Sequence, residues 1–490
     1  MTARDAIPQL NINHTQLTTD IDKKWDAEII PALSQYIKLP AQSPSFDANW
    51  AAHGYLDAAV EDAREWVAAQ NINGFTVDII RIEGRTPVLF FDIPATGKHA
   101  QDKSTLFYGH LDKQPEMTGW RSGLGAWLPV YEDGKLYGRG GADDGYAVYA
   151  ALAAVAALDK QNIARPRCVG LIETCEESGS YDLPAYLDHL ATRMGDVQMV
   201  IALDSGAGNY DQLWVTTSLR GLVNGTLKVS MLTEGVHSGD AGGVVPSSFR
   251  VARLLLDRID DSRTGVVKPS AFNCAIPHER ITQAIQAAEI LGEAMWQRFP
   301  WDSCCGDDGK FVFVQPATRD PVELILNRTW RAALAVVGAD GLPPIATAGN
   351  VQRPYTALKL SLRLPPSVNA DDAAETLKQI LETDVPYQAN VTFHYEQAAT
   401  GWNAPATAPW LTALLDSASQ QAFGKPAAYL GEGGSIPFMG MLGAKFPNAQ
   451  IVVTGVLGPK SHAHGPNEFL HVPYAKKLTA AVAMLVAGAE

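Results

Sequence analysis

Leu136-Tyr137-Gly138-Arg139-Gly140-Gly141-Ala142-Asp143-Asp144-Gly145-Tyr146 is a glycine-rich turn that delivers two adjacent carboxylates to the head of an Ala-rich segment. From Asp143 or Asp144 through Leu158 the chain is nearly all Ala, Val and Tyr. That pattern predicts a helix buried against a sheet. His110 and Asp112 lie upstream of the turn, and Glu176, Glu177, Asp204 and His464 lie downstream. These are hard and borderline donors of the kind that bind zinc or a similar divalent ion.

The flanking segments read as buried strands. Ser104 to Gly109 is a short apolar run that ends at His110. Cys168 to Thr174 ends at Glu176-Glu177, and Gln198 to Leu203 ends at Asp204. Short uninterrupted apolar runs are the mark of parallel strands covered on both faces. In open parallel α/β sheets the site lies at the carboxyl ends of the strands. One metal-capable residue at a strand end is a cheap coincidence, but three in succession point to a site. A fourth apolar run, Gln450 to Val453, precedes a Gly/Pro/Ser loop that holds His462 and His464. Before this set, Thr19 to Ile37 predicts a helix with Trp25, Ile29, Ile30, Leu33, Tyr36 and Ile37 on one face and a kink at Pro31. A second helix is predicted over about 51–69, and strands over 76–82 and 87–93.

With 490 residues and 46% hydrophobic content, the chain is too long for one ordinary core, so two domains are expected. The formal net charge of -14 argues against nucleic acid and against an anionic membrane face as partners. No segment has the length and apolarity of a membrane span. Met1 to Lys24 is polar and lacks the apolar stretch of a signal peptide. The five cysteines form no spaced framework, which fits reduced thiols. A cytoplasmic location is therefore expected. From about Trp214 to Glu396 the character changes. Strand-like pieces at 225–231, 355–363 and 389–395 alternate with helix-like ones at 246–259 and 280–297, an α+β pattern. The expected class is α/β: a mostly parallel-sheet catalytic domain (1–213 and 397–490), with helices on both faces, and an inserted α+β domain (214–396).

Each chemical group has a bland reading. Glu176-Glu177 alone would be ordinary helix N-terminal charge, and His464 alone a loop histidine. Jointly that reading weakens, because every member sits at a strand end or in a Gly-rich turn. Two histidines and three carboxylates can hold two ions if one carboxylate bridges. A further carboxylate remains as general base, and an Asp is left to orient a His ring.

The chain resembles the M20 metallopeptidases, and within them the carnosinase-like dipeptidases. The resemblance rests on Tyr108-Gly109-His110-Leu111-Asp112, Asp133-Gly134-Lys135-Leu136-Tyr137-Gly138-Arg139-Gly140 with Asp143-Asp144, and Glu176-Glu177-Ser178-Gly179-Ser180. It continues through Ser218-Leu219-Arg220-Gly221, His237-Ser238-Gly239, Ser361-Leu362-Arg363-Leu364, Gly431-Glu432-Gly433-Gly434-Ser435-Ile436-Pro437 and Ala463-His464-Gly465-Pro466-Asn467-Glu468. It implies that His110 and Asp204 bind one metal, that Glu177 and His464 bind another, and that Asp143 bridges both. It implies Asp112 as the residue that orients His110 and Glu176 as the general base acting on a metal-bridging hydroxide. A cis peptide at Asp143-Asp144 is part of the same expectation.

The inserted domain is then similar to the family's lid and dimerisation domain. His237 is expected to polarise the scissile carbonyl across a homodimer interface, and Arg363 to clamp the substrate's C-terminal carboxylate. Asn350, Glu432 and Ser435 are expected in the substrate pocket. The implied cofactors are two divalent ions, Zn2+ foremost, with Mn2+ or Co2+ also compatible. The implied activity is hydrolysis of a dipeptide or short peptide. An N-acyl amino acid deacylase of the same family, or an inactive binding protein on the same fold, is the alternative. Three departures stand out. Gly145-Tyr146 replaces the family's Lys-Gly, Lys113 follows Asp112 where Val or Thr is common, and Gly401-Trp402-Asn403 replaces a His-Gly-Gly type loop.

Overall fold

The computed structural model describes residues 11–70, 72–305, 311–434 and 437–489. The chain divides into two compact units. One comprises the described residues of Met1–Thr216, Ala404–Leu430 and Met441–Glu490; the other comprises those of Thr217–Asn403 and Gly431–Gly440. The segment 431–440, which the sequence reading left with the first domain, thus groups with the insertion. Polar contacts explain this. Arg328 pairs with Glu432 at 2.6 Å, and Arg220 Nε donates to the Gly433 carbonyl at 3.2 Å.

The first unit is built on a six-stranded sheet. Its strands are β1 (Thr76–Ile80), β2 (Val88–Ile93), β3 (Lys103–His110), β4 (Arg167–Glu173), β5 (Asp196–Ala202) and β6 (Gln450–Val453). The order across the sheet is β1-β2-β4-β3-β5-β6. β4, β3, β5 and β6 run parallel, while β2 is antiparallel to both neighbours, β1 and β4. β3 is therefore central, and all its residues from Ser104 to His110 are buried. Such a strand has no solvent face, which is why it reads as a continuous apolar run.

Four helices pack together in this unit: α1 (His14–Lys24), α3 (Tyr146–Lys160), α4 (Pro409–Phe423) and α5 (Val472–Ala487), with α2 (Ile30–Ile37) continuing from α1. The first helix begins earlier than periodicity predicts, because the Asn13 side chain accepts from the Gln16 amide at 3.0 Å and caps it. The expected kink at Pro31 is a turn of π-helix, Trp25–Ile29, that separates α1 from α2. Proline has no N–H to give and its ring crowds the carbonyl four residues back, so the helix widens just before it. α3 is buried from Tyr146 to Val155, so nearly its whole circumference is apolar. It does not begin at Asp143 or Asp144. Both have non-helical backbone angles inside the turn Gly141–Gly145, and the regular helix starts at Tyr146.

The second unit is α+β. A four-stranded antiparallel sheet runs in the order Ala333–Asp340, Tyr355–Leu364, Gly221–Ser230, Asn390–Ala399. Helices Ser248–Leu256 and Ala370–Glu382 cover it through Val223, Leu227, Leu360, Val251, Leu255 and Leu377, all fully buried. Among the described residues, no helix is long and apolar enough to cross a membrane.

Candidate metal centre

His110 is the last residue of β3. The parallel register places it beside Glu173, the last residue of β4, and the Leu111 amide donates to the Glu173 carbonyl at 2.8 Å. The Glu176-Glu177 pair sits just beyond β4, on a single 3-10 turn (Glu176–Ser178). Asp204 follows β5 by two residues. Its approach is fixed by Tyr146, whose buried hydroxyl donates to the Leu203 carbonyl.

The glycine turn supplies Asp143. Gly140 has φ 83°, and a Cβ there would lie 2.6 Å from Lys113 Cε, so both conformation and space require glycine. At Gly145 a Cβ would lie 2.2 Å from Tyr36 Cε1. The lysine expected there from the resemblance has no room beside this Tyr36 ring. Lys113 lies against the same ring, with Nζ 3.8 Å from its centroid, and donates to the carbonyls of Tyr36 and Leu39 at 2.8 Å each. It ties down the end of α2 and is not turned to the carboxylates. The Asp143-Asp144 peptide is cis.

Two donor groups form around Asp143. His110 Nε2 lies 3.3 Å from Asp143 Oδ1 and 3.8 Å from Asp204 Oδ2. His464 Nε2 lies 3.0 Å from Asp143 Oδ2 and 3.4 Å from Glu177 Oε2. Within each group the ligand atoms lie within 4.8 Å of one another, and Asp143 belongs to both. His110 Nε2 is buried and makes no hydrogen bond, although it faces two carboxylates. Buried polar atoms are nearly always paired. A lone nitrogen aimed at carboxylate oxygens is what a cation position requires.

The electrostatics agree with that requirement. Burial pushes the Glu177 carboxyl up to about 8, helped by the Asp143 charge. Burial, with Asp143 adding to it against the pull of His110, pushes Asp204 up to about 7. Burial and the Asp204 carboxylate raise Glu176 well above the carboxylate range. Asp143 goes the other way: burial opposes its charge, but the His110 and His464 imidazoles beside it hold it below the usual range. So many carboxylates cannot all ionise together unless positive charge joins them. The residues present therefore fit a pair of divalent cations.

Asp112 holds this cluster through backbone as well as side chain. Its carboxylate accepts from the Glu176 and Glu177 amides at 3.1 and 2.9 Å, and its carbonyl lies 3.0 Å from His110 Nδ1. Sequence reasoning missed Gln114, whose Nε2 donates to Glu177 Oε2 at 2.5 Å. The signal was the spacing His110-x-Asp112-x-Gln114 on extended chain, which turns alternate side chains to one side.

The other expected site residues lie in the second unit. His237 ends a two-residue strand paired with Val351–Gln352, and the Ser238 amide donates to the Asn350 carbonyl at 2.9 Å, so His237 and Asn350 are neighbours. His237 is exposed, and its Nδ1 accepts from the Gly239 amide at 3.1 Å. Arg363 is half-buried on the strand Tyr355–Leu364, opposite Leu222. Glu432 is engaged by Arg328. Ser435 lies outside the described residues.

The model for "Peptidase family M20/M25/M40" matches residues 106–488. The chain is 26% identical over 441 residues to a cysteinylglycine-S-conjugate dipeptidase of Corynebacterium striatum, covering 85% of this chain and 88% of that protein. It is 24% identical over 399 residues to the human beta-Ala-His dipeptidase, covering 78% of this chain and 73% of that one. The crystal structure of human carnosine dipeptidase 1 shares the fold, with a TM-score of 0.74 over 98% of this chain and 99% of that chain at 19% identity. A family match over most of the length, on a sheet whose strand ends gather these donors, means that the chain belongs to peptidase family M20/M25/M40.

Proposed function

We propose that the chain is a two-cation metallopeptidase that hydrolyses dipeptides or short peptides. The observation that carries this reading is the pair of donor groups sharing Asp143, with Glu176 beside them. His110 and Asp204 would hold one ion, Glu177 and His464 the other, and Asp143 both. Zn2+ suits this mixture of imidazole and carboxylate, and Mn2+ and Co2+ suit it too. When bound, such ions polarise water and carbonyl groups and offset the negative charge that develops in the transition state.

The chain's own residues do the rest. Glu176 takes a proton from the attacking water as the water oxygen bonds to the peptide carbon. It then passes that proton to the leaving nitrogen as the C–N bond breaks. Asp112 holds the backbone of Glu176 and Glu177 in place. His237 of the partner subunit in a homodimer donates to the carbonyl oxygen. Arg363 pairs with the substrate's C-terminal carboxylate, and Asn350 and Glu432 contribute to substrate binding. The named activities of the two relatives support a dipeptide substrate. The unpaired cysteines Cys168, Cys175, Cys274 and Cys304 support a reducing, cytoplasmic setting.

Metal analysis and a hydrolysis panel test this. The panel holds dipeptides, β-alanyl dipeptides, tripeptides and N-acetyl amino acids. Two ions per chain with dipeptide cleavage is the expected result. Cleavage of N-acetyl substrates alone would make the protein a deacylase. No retained ion and no cleavage would leave a binding role on the same fold.

Cation affinity is expected to depend on pH. Burial opposes a charge on His464, but Asp143 and Glu177 override this and raise its pKa to about 9. Glu177 titrates at about 8. Below these values the ligands carry protons that a cation must displace. Apparent affinity should therefore rise with pH up to about 9, changing about tenfold per unit for each proton displaced. Calorimetry in buffers of different ionisation enthalpy measures the protons released. No release at neutral pH would remove His464 and Glu177 from the ligand set.

A further inference from the structure

The two donor groups are held in very different ways. His110 and Asp204 sit at or just past the ends of central strands and are buried. His464 sits on a loop, and its side chain is 53% exposed. That loop is conformationally expensive: Lys460, His462, His464 and Asn467 have φ of 65°, 57°, 63° and 64°. Non-glycine residues avoid this region and persist there only when the surroundings over-determine it. Neither a sheet nor a buried imidazole holds His464 in place, so something else must.

Arg121 and Tyr210 reach the ends of this loop, through Asn467 and Pro459, and Arg139 reaches it directly beside His464. Arg139 lies one position before Gly140, on the turn that carries Asp143. Its side chain is 1% exposed and uses all three nitrogens. One terminal nitrogen donates to the Gly465 carbonyl at 2.9 Å, directly after His464, and the other to Glu468 Oε2 at 2.5 Å. Nε donates to the Pro115 carbonyl at 3.2 Å. Glu468, fully buried, accepts the Gly140 amide on its second oxygen at 2.9 Å, and its own carbonyl accepts the Gly138 amide at 3.1 Å. The turn that bears the shared carboxylate and the loop that bears the exposed histidine are thus joined by one forked ion pair.

We propose that Arg139 is a positioning residue for the second cation position. By binding Glu468 and the Gly465 carbonyl it holds His464 against Asp143 and Glu177. Its loss weakens that position and leaves the His110–Asp143–Asp204 position at its native affinity. The inference rests on the two-cation reading above. Lysine keeps the charge opposite buried Glu468 but cannot fork to a carboxylate and a carbonyl at once.

The test is a Zn2+ titration of metal-free wild type, Arg139→Lys and Glu468→Gln, by calorimetry, with thermal unfolding followed in parallel. Wild type should bind two equivalents. Each variant should keep one at wild-type affinity and weaken the other by about 10–100-fold, the usual effect of losing a residue that orients a ligand. Two equivalents at wild-type affinity in the variants would overturn the proposal, as would equal weakening of both. If neither variant folds, the pair is a folding element and the proposal falls. Fewer than two equivalents in wild type would instead refute the two-cation reading itself.

Discussion

Glu176→Gln is expected to lower kcat by about 10²–10⁴-fold, the range contributed by a positioned general base. The substitution keeps the shape of the side chain and the amide that donates to Asp112. It removes only the ability to take and return a proton. Substrate and cations should still bind, so KM should stay near the wild-type value and both cation equivalents should be retained. A group needed only in the transition state leaves that kinetic pattern. Steady-state kinetics alongside metal analysis check it. Turnover at the wild-type level would remove Glu176 from the mechanism, and loss of one ion would make it a ligand instead.

His237→Ala should cost about 10²–10³ in kcat, as loss of one oxyanion donor does elsewhere. Cation content should not change, because His237 is not a member of either donor group. The same variant tests whether the histidine acts across a dimer. If it does, a site needs Glu176 from one chain and His237 from the other. Mixing Glu176→Gln and His237→Ala chains, each nearly inactive alone, should then restore about a quarter of wild-type activity, since half of a random mixture of isologous dimers carries one intact site in two. A mixture no more active than its parts would place His237 in its own chain's site or outside the mechanism.

Much of the first unit was legible because its chemistry coincides with local pattern. β3 reads as a strand because it is central and has no wet face, so the polar residue that ends it, His110, stands out. Asp204 stands out after β5 for the same reason. The strand Ala333–Asp340 of the second unit was not legible. It is a sheet edge with an exposure pattern that does not alternate, so no period of two marks it. The helix expected to open at Asp143 failed at its first turn. Favourable acidic residues at a helix start do not show that the turn before it must swing both carboxylates out of helical geometry.

The sequence alone determined the donors and their kind, because residue type decides what can bind a cation or move a proton, and apolar period decides which segments are strands. The tertiary structure decided which donors meet. β4 joins β3 in parallel register, which puts the Glu176-Glu177 turn beside His110. Arg139 and Glu468, 329 positions apart, close as a buried pair that brings a loop histidine to the glycine turn. Local pattern carries no record of such partners. The free energy of a buried charge depends on which opposite charge lies within a few ångströms, and only the packed chain sets that distance.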